Sequence, residues 1–327
     1  WRWLPGRLSA HATRPPARAA AAAPRSPVEI LARRLEELCL GGATKGPPCP
    51  LHVAAARHRA EVRGTEVLFP FAEGPLPPQR LLMDRVLEAL ESGRHAVLES
   101  PTGTGKTAAV LCAALAWQRR RRLEAGEAPQ LLFVSRTHAQ LRQAVAELQR
   151  TPYRPTTAVL GSRESGLCIH EGVMEMAQVG GQQSVRQACR QARREGQCSF
   201  HAGLQAQGYA EAAASRLRSG APWDIEDAAN FGLDANACPY YTAHALARHA
   251  ELVFCPYSYV LDPAVRRAAG AGALELRGRV AVLDEAHNVE GVCREAGSAE
   301  LGLDQLRGAL AALKRALGEG SAGLAEA

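Results

Sequence analysis

Glu99-Ser100-Pro101-Thr102-Gly103-Thr104-Gly105-Lys106-Thr107 decides the fold. It lies between an apolar run, His95-Ala96-Val97-Leu98, and a helix-forming run from Ala108 to Trp117. Strand, glycine-rich turn, Lys-Thr and helix is the order that builds a phosphate-binding loop. Its glycines let backbone N–H groups approach phosphate, and the helix N-terminus adds positive dipole. Lys106 then reaches the β- and γ-phosphates, and the Thr107 hydroxyl holds Mg²⁺. Ser100 stands where the general pattern has its first glycine. A plain Gly/Thr turn needs neither Lys-Thr nor a strand and helix beside it.

A second motif tests the first. Arg279-Val280-Ala281-Val282-Leu283 reads as a buried strand that ends in Asp284-Glu285-Ala286-His287. Nucleotide hydrolysis needs an acid at a strand end to hold Mg²⁺ and a base to orient the attacking water. Asp284 and Glu285 fit those roles in that order, which makes an ATPase core the reading. A nucleotide kinase is disfavoured, because such enzymes lack Asp-Glu-Ala-His and the cysteine-bearing insertion described below.

Further apolar runs set the architecture. Leu131–Ser135, Thr157–Leu160 and Leu252–Cys255 read as strands, with helices over Gln79–Glu91 and His138–Gln149. Alternation of strands and helices predicts an α/β fold with a parallel sheet covered on both faces. Ile30, Leu31, Leu35 and Leu38 predict a short amphipathic helix over 28–40, and Leu303–Leu317 a last one. The longest apolar run, around Ala108–Trp117, is too short to span a bilayer, which takes about 20 residues.

The net charge of +6 says little about partners. Residues 1–28 hold Arg2, Arg7, Arg14, Arg18 and Arg25 and no acid, which leaves +1 for the rest. Any nucleic-acid groove must therefore come from local placement of Arg and Lys. The Arg/Ala/Pro-rich start resembles an organelle transit peptide; a disordered tail is the favoured reading. The chain opens on Trp1, so a fragment or processed product is expected.

Residues 161–238 break the α/β rhythm and carry Cys168, Cys189, Cys198 and Cys238. Cys112 and Cys255 read as core residues, and Cys39, Cys49 and Cys293 have no evident partner. Four thiols in one core-poor insertion suggest a metal staple. None has the Cys-x-x-Cys spacing usual for zinc, whereas a cluster of iron and sulfide accepts wider spacing. Spacing alone leaves cluster, zinc and free thiols open.

Phe69-Pro70-Phe71, Gln79, the 99–107 loop, Ser135-Arg136-Thr137-His138, Gly161-Ser162-Arg163-Glu164, Leu167-Cys168-Ile169-His170, Ala237-Cys238-Pro239-Tyr240-Tyr241, Cys255-Pro256-Tyr257-Ser258-Tyr259-Val260-Leu261-Asp262 and Asp284-Glu285-Ala286-His287-Asn288 together resemble the Rad3/xeroderma-pigmentosum-D group of superfamily 2 DNA helicases. The likeness runs from about Gly64 to the end. Tyr153-Arg154-Pro155 leans to the telomere-elongation branch, and Leu115-Ala116-Trp117-Gln118 to the Fanconi-anaemia-group-J branch; the first ranks ahead.

The resemblance implies a recombinase-like ATP-binding lobe over 64–160 and 239–290. It implies an iron–sulfur module over 161–238, the start of a helical arch over 291–327, and a weakly structured extension over 1–63. It implies ATP and Mg²⁺, with a [4Fe–4S] cluster on Cys168, Cys189, Cys198 and Cys238. Gln79 would read the adenine edge, although its gap from Phe71 is longer than the group's usual one. Ser258 stands where Asn is common.

Arg136, Thr137 and Arg163 would lie towards the DNA path, and Tyr240, Tyr241, Tyr257 and Tyr259 would stack bases or, as is favoured, fill core and capping positions. His138 and His170 are expected in ordinary polar packing. The implied function is an ATP-dependent 5′-to-3′ DNA helicase of repair or telomere maintenance in the nucleus, acting on single strands and junctions with no membrane. The second motor lobe is not in the chain, so half an ATPase, inactive alone, is expected. An RNA translocase and a non-catalytic metal-stabilised nucleic-acid-binding fragment are the alternatives.

Overall fold

The computed structural model describes residues 26–40, 56–179, 184–268, 274–299 and 302–322. The Arg-rich start and Cys49 lie outside them. Helix α1 (Pro27–Leu40) forms on the stripe Leu31 and Leu35, which are 1% and 0% exposed. Strands β1 (His58–Val62) and β2 (Thr65–Phe69) make an antiparallel hairpin. Its turn residues, Arg63 and Gly64, both have positive φ, 49° and 68°. That two-residue turn matches the right-handed strand twist, and Gly64 adopts it without a Cβ clash.

Helix α2 (Pro77–Ser92) begins on prolines and stops at left-handed Gly93. Helix α3 (Lys106–Ala125) follows the glycine-rich loop. The chain continues through β3 (Leu131–Ser135), α4 (His138–Arg150) and β4 (Thr157–Val159), then α5 (Glu171–Val179), α6 (Val185–Arg194), α7 (Ser199–Gly203), α8 (Tyr209–Arg218), α9 (Ile225–Asp234) and α10 (Pro239–Leu246). Strand β5 (Leu252–Pro256), α11 (Ser258–Leu261), α12 (Pro263–Ala268), β6 (Val280–Leu283), α13 (Val289–Ala296) and α14 (Leu303–Ala322) complete it.

Four strands form one parallel sheet in the order β4-β5-β3-β6. Every residue of β3 is buried, as expected of a strand covered on both faces. Phe133 sits opposite Phe254 and Val282, with the two rings 5.7 Å apart. Ala108 to Cys112 and on to Gln118 pack α3 into the same core, nearly all round the helix.

Three expectations are corrected. The run His95–Leu98 forms no strand among the described residues; Val97 is 97% exposed. Apolar, β-forming residues make a strand only where a neighbour supplies hydrogen bonds, and none pairs here. Residues 1–63 are not all loose extension, because Leu31 and Leu35 of α1 and Ala60 and Val62 of β1 join the main core. The insertion is not one packing unit either. Val173, Val185, Ala188, Cys189, Ala192 and Cys198 form a small separate core, whereas Leu204, Tyr209, Leu217, Trp223 and Ile225 join the main one. Helix α14 forms over the expected stretch, with Leu303, Leu306, Leu310, Leu313 and Leu317 exposed.

Tyr153 ties the hairpin to the lobe. It is fully buried, and its hydroxyl accepts the Leu68 N–H at 2.9 Å. Tyr153→Phe keeps the ring and strands that donor, which should cost about 1–3 kcal/mol. The urea midpoint should fall with the m-value unchanged; an unmoved midpoint would refute the role.

Candidate nucleotide and nucleic-acid site

Gly103 and Gly105 take left-handed φ of 75° and 69°, and Gly105 caps α3. The loop satisfies itself: Ser100 and Thr104 hydroxyls lie 3.0 Å apart, and Thr104 donates to the Pro101 carbonyl at 2.8 Å. Lys106 Nζ donates to the Ser100 carbonyl at 3.3 Å. Pro101, Thr102 and Gly103 form an exposed rim, with Thr107 half-buried at the helix start. Gln79 is buried behind the loop. Its Oε1 accepts the Leu76 N–H at 2.8 Å, and a Cβ on Gly105 would meet its Nε2 at 2.6 Å. Gln79 thus wedges the loop against α2.

Asp284 follows β6, and its N–H donates to the Val134 carbonyl at 2.8 Å. The Tyr257 hydroxyl donates to the Asp284 carbonyl. Glu285 is left-handed, φ 55° and ψ 48°, a strained state for a residue with a Cβ. Burial raises the Asp284 carboxyl pKa and Glu285 adds to it, while the Lys106 ammonium pulls it back. The Lys106 charge thus reaches Asp284.

Cys168, Cys189, Cys198 and Cys238 line one cavity together with Arg163, Leu167, Ile169, His170, Phe200 and Tyr240. All four are free thiols. Burial pushes the Cys168 and Cys198 thiols up, and Cys238 to about 12. Among the described residues no three His, Cys, Asp or Glu side chains are gathered tightly enough to hold a single metal ion.

The residues expected on the DNA path are not one surface. Arg136 is exposed, and its Nη1 donates to Asn288 Oδ1 at 3.0 Å. Thr137 caps α4, accepting the Gln140 N–H at 3.2 Å. Arg163 is turned inward: its guanidinium lies 3.8 Å over the Tyr240 ring and donates to the Tyr241 hydroxyl at 3.0 Å. Arg193 donates to that same hydroxyl, joining α6 to α10. Tyr257 and Tyr259 are buried, and the Tyr259 hydroxyl donates to the Gly161 carbonyl at 2.7 Å. His170 Nδ1 accepts the Val173 N–H at 3.2 Å; His138 is half-buried, and burial lowers its pKa.

Sequence reasoning missed Asn288 and Tyr257 as supports of the Asp-Glu turn. Both stood in quoted motifs, but no spacing announces a hydrogen bond to a backbone carbonyl. Asp284 carries a pH signature. Its raised pKa means that the folded state holds the proton more tightly than the unfolded chain, whose Asp titrates near 4. That stabilisation is complete below about pH 4 and is lost as pH rises through the folded value. Asp284→Asn removes the loss. The variant's stability relative to the parent, from urea unfolding without Mg²⁺, should grow from about pH 4 upward; a constant difference would refute it.

Two family models match this chain: DEAD_2 over residues 133–306 and DEAD/DEAH box helicase over 78–171. The chain is similar to the regulator of telomere elongation helicase 1 homolog of Oryza sativa subsp. japonica, 35% identical over 281 residues, covering 73% of this chain and 26% of that protein. Similar matches are regulator of telomere elongation helicase 1 of Mus musculus, 35% over 279 residues (74% and 22%), and of Bos taurus, 34% over 293 residues (79% and 23%). The chain thus spans about a quarter of the length of these relatives. With more than half of its residues matched by the first model, the chain belongs to the DEAD_2 family of Rad3-type helicases.

Proposed function

We propose that this chain is the ATP-binding lobe of an ATP-dependent DNA helicase that moves 5′ to 3′ and serves telomere maintenance or DNA repair in the nucleus. The observation that carries the reading is the glycine-rich loop itself, with Gly103 and Gly105 left-handed and Gly105 capping α3, in a chain of this family. Lys106 and the loop from Ser100 to Thr107 bind the phosphates. Thr107 and Asp284 hold Mg²⁺, and Glu285 orients the attacking water. Gln79 supports the loop from behind and is assigned the adenine edge. Single-stranded DNA and junctions are the proposed partners, with Arg136 and Thr137 nearest the strand; Arg163 serves the joint between module and lobe. Among the described residues, no helix is long and apolar enough to cross a membrane.

Cys168, Cys189, Cys198 and Cys238 fit a four-thiolate [4Fe–4S] cluster, because all four line one cavity and such a cluster accepts wide sequence spacing. A bound cluster would staple the Arg163–Leu167 turn, α6, α7 and α10. The thiols must lose their protons to ligate, so uptake is coupled to folding of the small core around α5 and α6. On this reading the module runs from Gly161 to Cys238, with α8 and α9 fused to the lobe.

Two experiments test these assignments. In the complete protein, Glu285→Gln should slow ATP hydrolysis about 10²–10⁴-fold while nucleotide affinity changes little; Lys106→Ala should lose the affinity itself. Hydrolysis by Glu285→Gln at the parent rate would remove the base assignment. Protein purified without oxygen should contain iron and sulfide in about equal amounts, and Cys238→Ser should lose both. Stoichiometric zinc without iron would overturn the cluster.

A further inference from the structure

The peptide plane that joins Asp284 to Glu285 is held at both ends. At one end the Asp284 carbonyl accepts the Tyr257 phenol. A carbonyl can only accept, so the phenol proton lies on this contact. At the other end the Glu285 N–H donates to the Asp284 carboxylate. Glu285 itself has φ 55° and ψ 48°. It is one of three non-glycine residues with positive φ among the described residues. A residue with a Cβ stays in this region only where its surroundings over-determine it.

Plane and dihedral are one problem. A peptide unit is rigid, so turning it over changes ψ of the residue before it and φ of the residue after it together, each by about half a turn. Turning over the 284–285 plane would carry Glu285 to negative φ, which a residue with a Cβ prefers. Asn288 does not prevent this. Its N–H and Nδ2 both donate to the Glu285 carbonyl, each at 3.0 Å, and so hold only the following plane. Resistance comes from the Tyr257 phenol and from the Asp284 carboxylate. Of these only Tyr257 is anchored outside the turn. Its own N–H donates to the Ser135 carbonyl at 3.0 Å, and its carbonyl accepts the Leu261 N–H at 2.8 Å. It therefore follows β5, is tied to the end of β3 and closes on the turn after β6. At 2% exposed, it has no surface for a nucleotide and acts through the backbone.

We propose that Tyr257 is a positioning residue for hydrolysis: its phenol locks the 284–285 peptide in the orientation that makes Glu285 left-handed, and that lock aims the Glu285 carboxylate. The inference rests on the reading of Glu285 as the group that orients the attacking water, and deepens it. Asp284 has a separate anchor, because its N–H donates to the Val134 carbonyl at 2.8 Å. That bond belongs to the plane before Asp284 and survives a turn of the plane after it. Two carboxylates that are adjacent in sequence thus answer to different holds, Asp284 to β3 and Glu285 to Tyr257. Loss of the phenol leaves Asp284 in place, lets the 284–285 plane turn over and points Glu285 away from its working direction.

The test pairs kinetics with crystallography. In the complete protein, Tyr257→Phe should lower kcat for ATP about tenfold, the weight of one hydrogen bond on the choice between the two orientations. KM for Mg–ATP, and the Mg²⁺ concentration that gives half the maximal rate, should stay within about twofold, because the phosphate loop and Asp284 keep their own anchors. Replacing the Tyr257 hydroxyl by an amine, with p-aminophenylalanine at this position, restores a donor in the same place and should recover most of kcat. In crystals of the 327-residue chain, φ of Glu285 should be positive with Tyr257 present and negative in Tyr257→Phe.

A Tyr257→Phe protein that turns over at the parent rate overturns the proposal, even if its urea midpoint falls, since the hydroxyl is then merely structural. A Glu285 that stays left-handed without the phenol overturns it as well. A loss of Mg²⁺ affinity as large as the loss of kcat would put the effect on Asp284 and also overturn it. If Glu285→Gln hydrolyses ATP at the parent rate, the reading of Glu285 fails and the positioning role falls with it. A change of sign in φ of Glu285 on loss of the phenol would in that case still assign the backbone lock to Tyr257.

Discussion

The register of β3 against β6 is the constraint on which the site depends. Leu131 pairs with Val280 and Val134 with Leu283, and the ladder ends with the Asp284 N–H on the Val134 carbonyl. Side chains alternate along a strand, so a slip by one residue would send Asp284 to the opposite face, away from Lys106. The same ladder sets where Ser135 ends and Arg136 begins. Arg136 and the Asp284-Glu285 turn thus emerge from adjacent ends of two paired strands, which brings Asn288 within reach of Arg136. The apolar filling of the sheet, with Phe133 between Phe254 and Val282, makes a slip costly.

The cysteine module depends on a different device. Its own core is small, and its joint to the lobe is polar: Arg163 and Arg193 meet on Tyr241, and Arg163 stacks on Tyr240. Charged groups at a joint specify orientation more than they add stability, because their desolvation offsets much of the gain. Arg163 keeps its charge there: burial works against it, but the flanking Tyr240, Tyr241 and Cys189 outweigh burial and raise its pKa. A residue expected to face DNA is instead what holds the cavity against the lobe.

What the sequence disclosed follows from how local each signal is. The glycine loop, α3 and the strands β3, β4, β5 and β6 were legible because each rests on a continuous run of neighbouring residues. The four cysteines could be grouped by their shared insertion, but their common cavity depends on α6, α7 and α10 packing together. The hairpin β1–β2 carries little signature, because Arg63-Gly64 is a weaker turn signal than Asn-Gly. Arg163 was misdirected for a plainer reason: a sequence shows a charge but not which way its side chain turns. Asn288 carries no signature at all, since its role exists only once Glu285 is left-handed.

The failure of the expected strand at His95–Leu98 also bears on the phosphate loop. With Val97 exposed, the loop gains no rigidity from sheet pairing on its N-terminal side. Its shape comes instead from contacts within it and behind it: Ser100 with Thr104, Thr104 with Pro101, and Gln79 against Gly105. Lys106 rests meanwhile on the Ser100 carbonyl, a neutral acceptor. A phosphate oxygen offers the ammonium a charge-assisted bond, roughly twice as strong as a neutral one. The exchange on binding is therefore downhill for Lys106, and the remaining loop hydrogen bonds need not break for it. A loop that is shaped by its own side chains and anchored by α3 can hold its form before nucleotide arrives, even where the segment leading into it forms no strand.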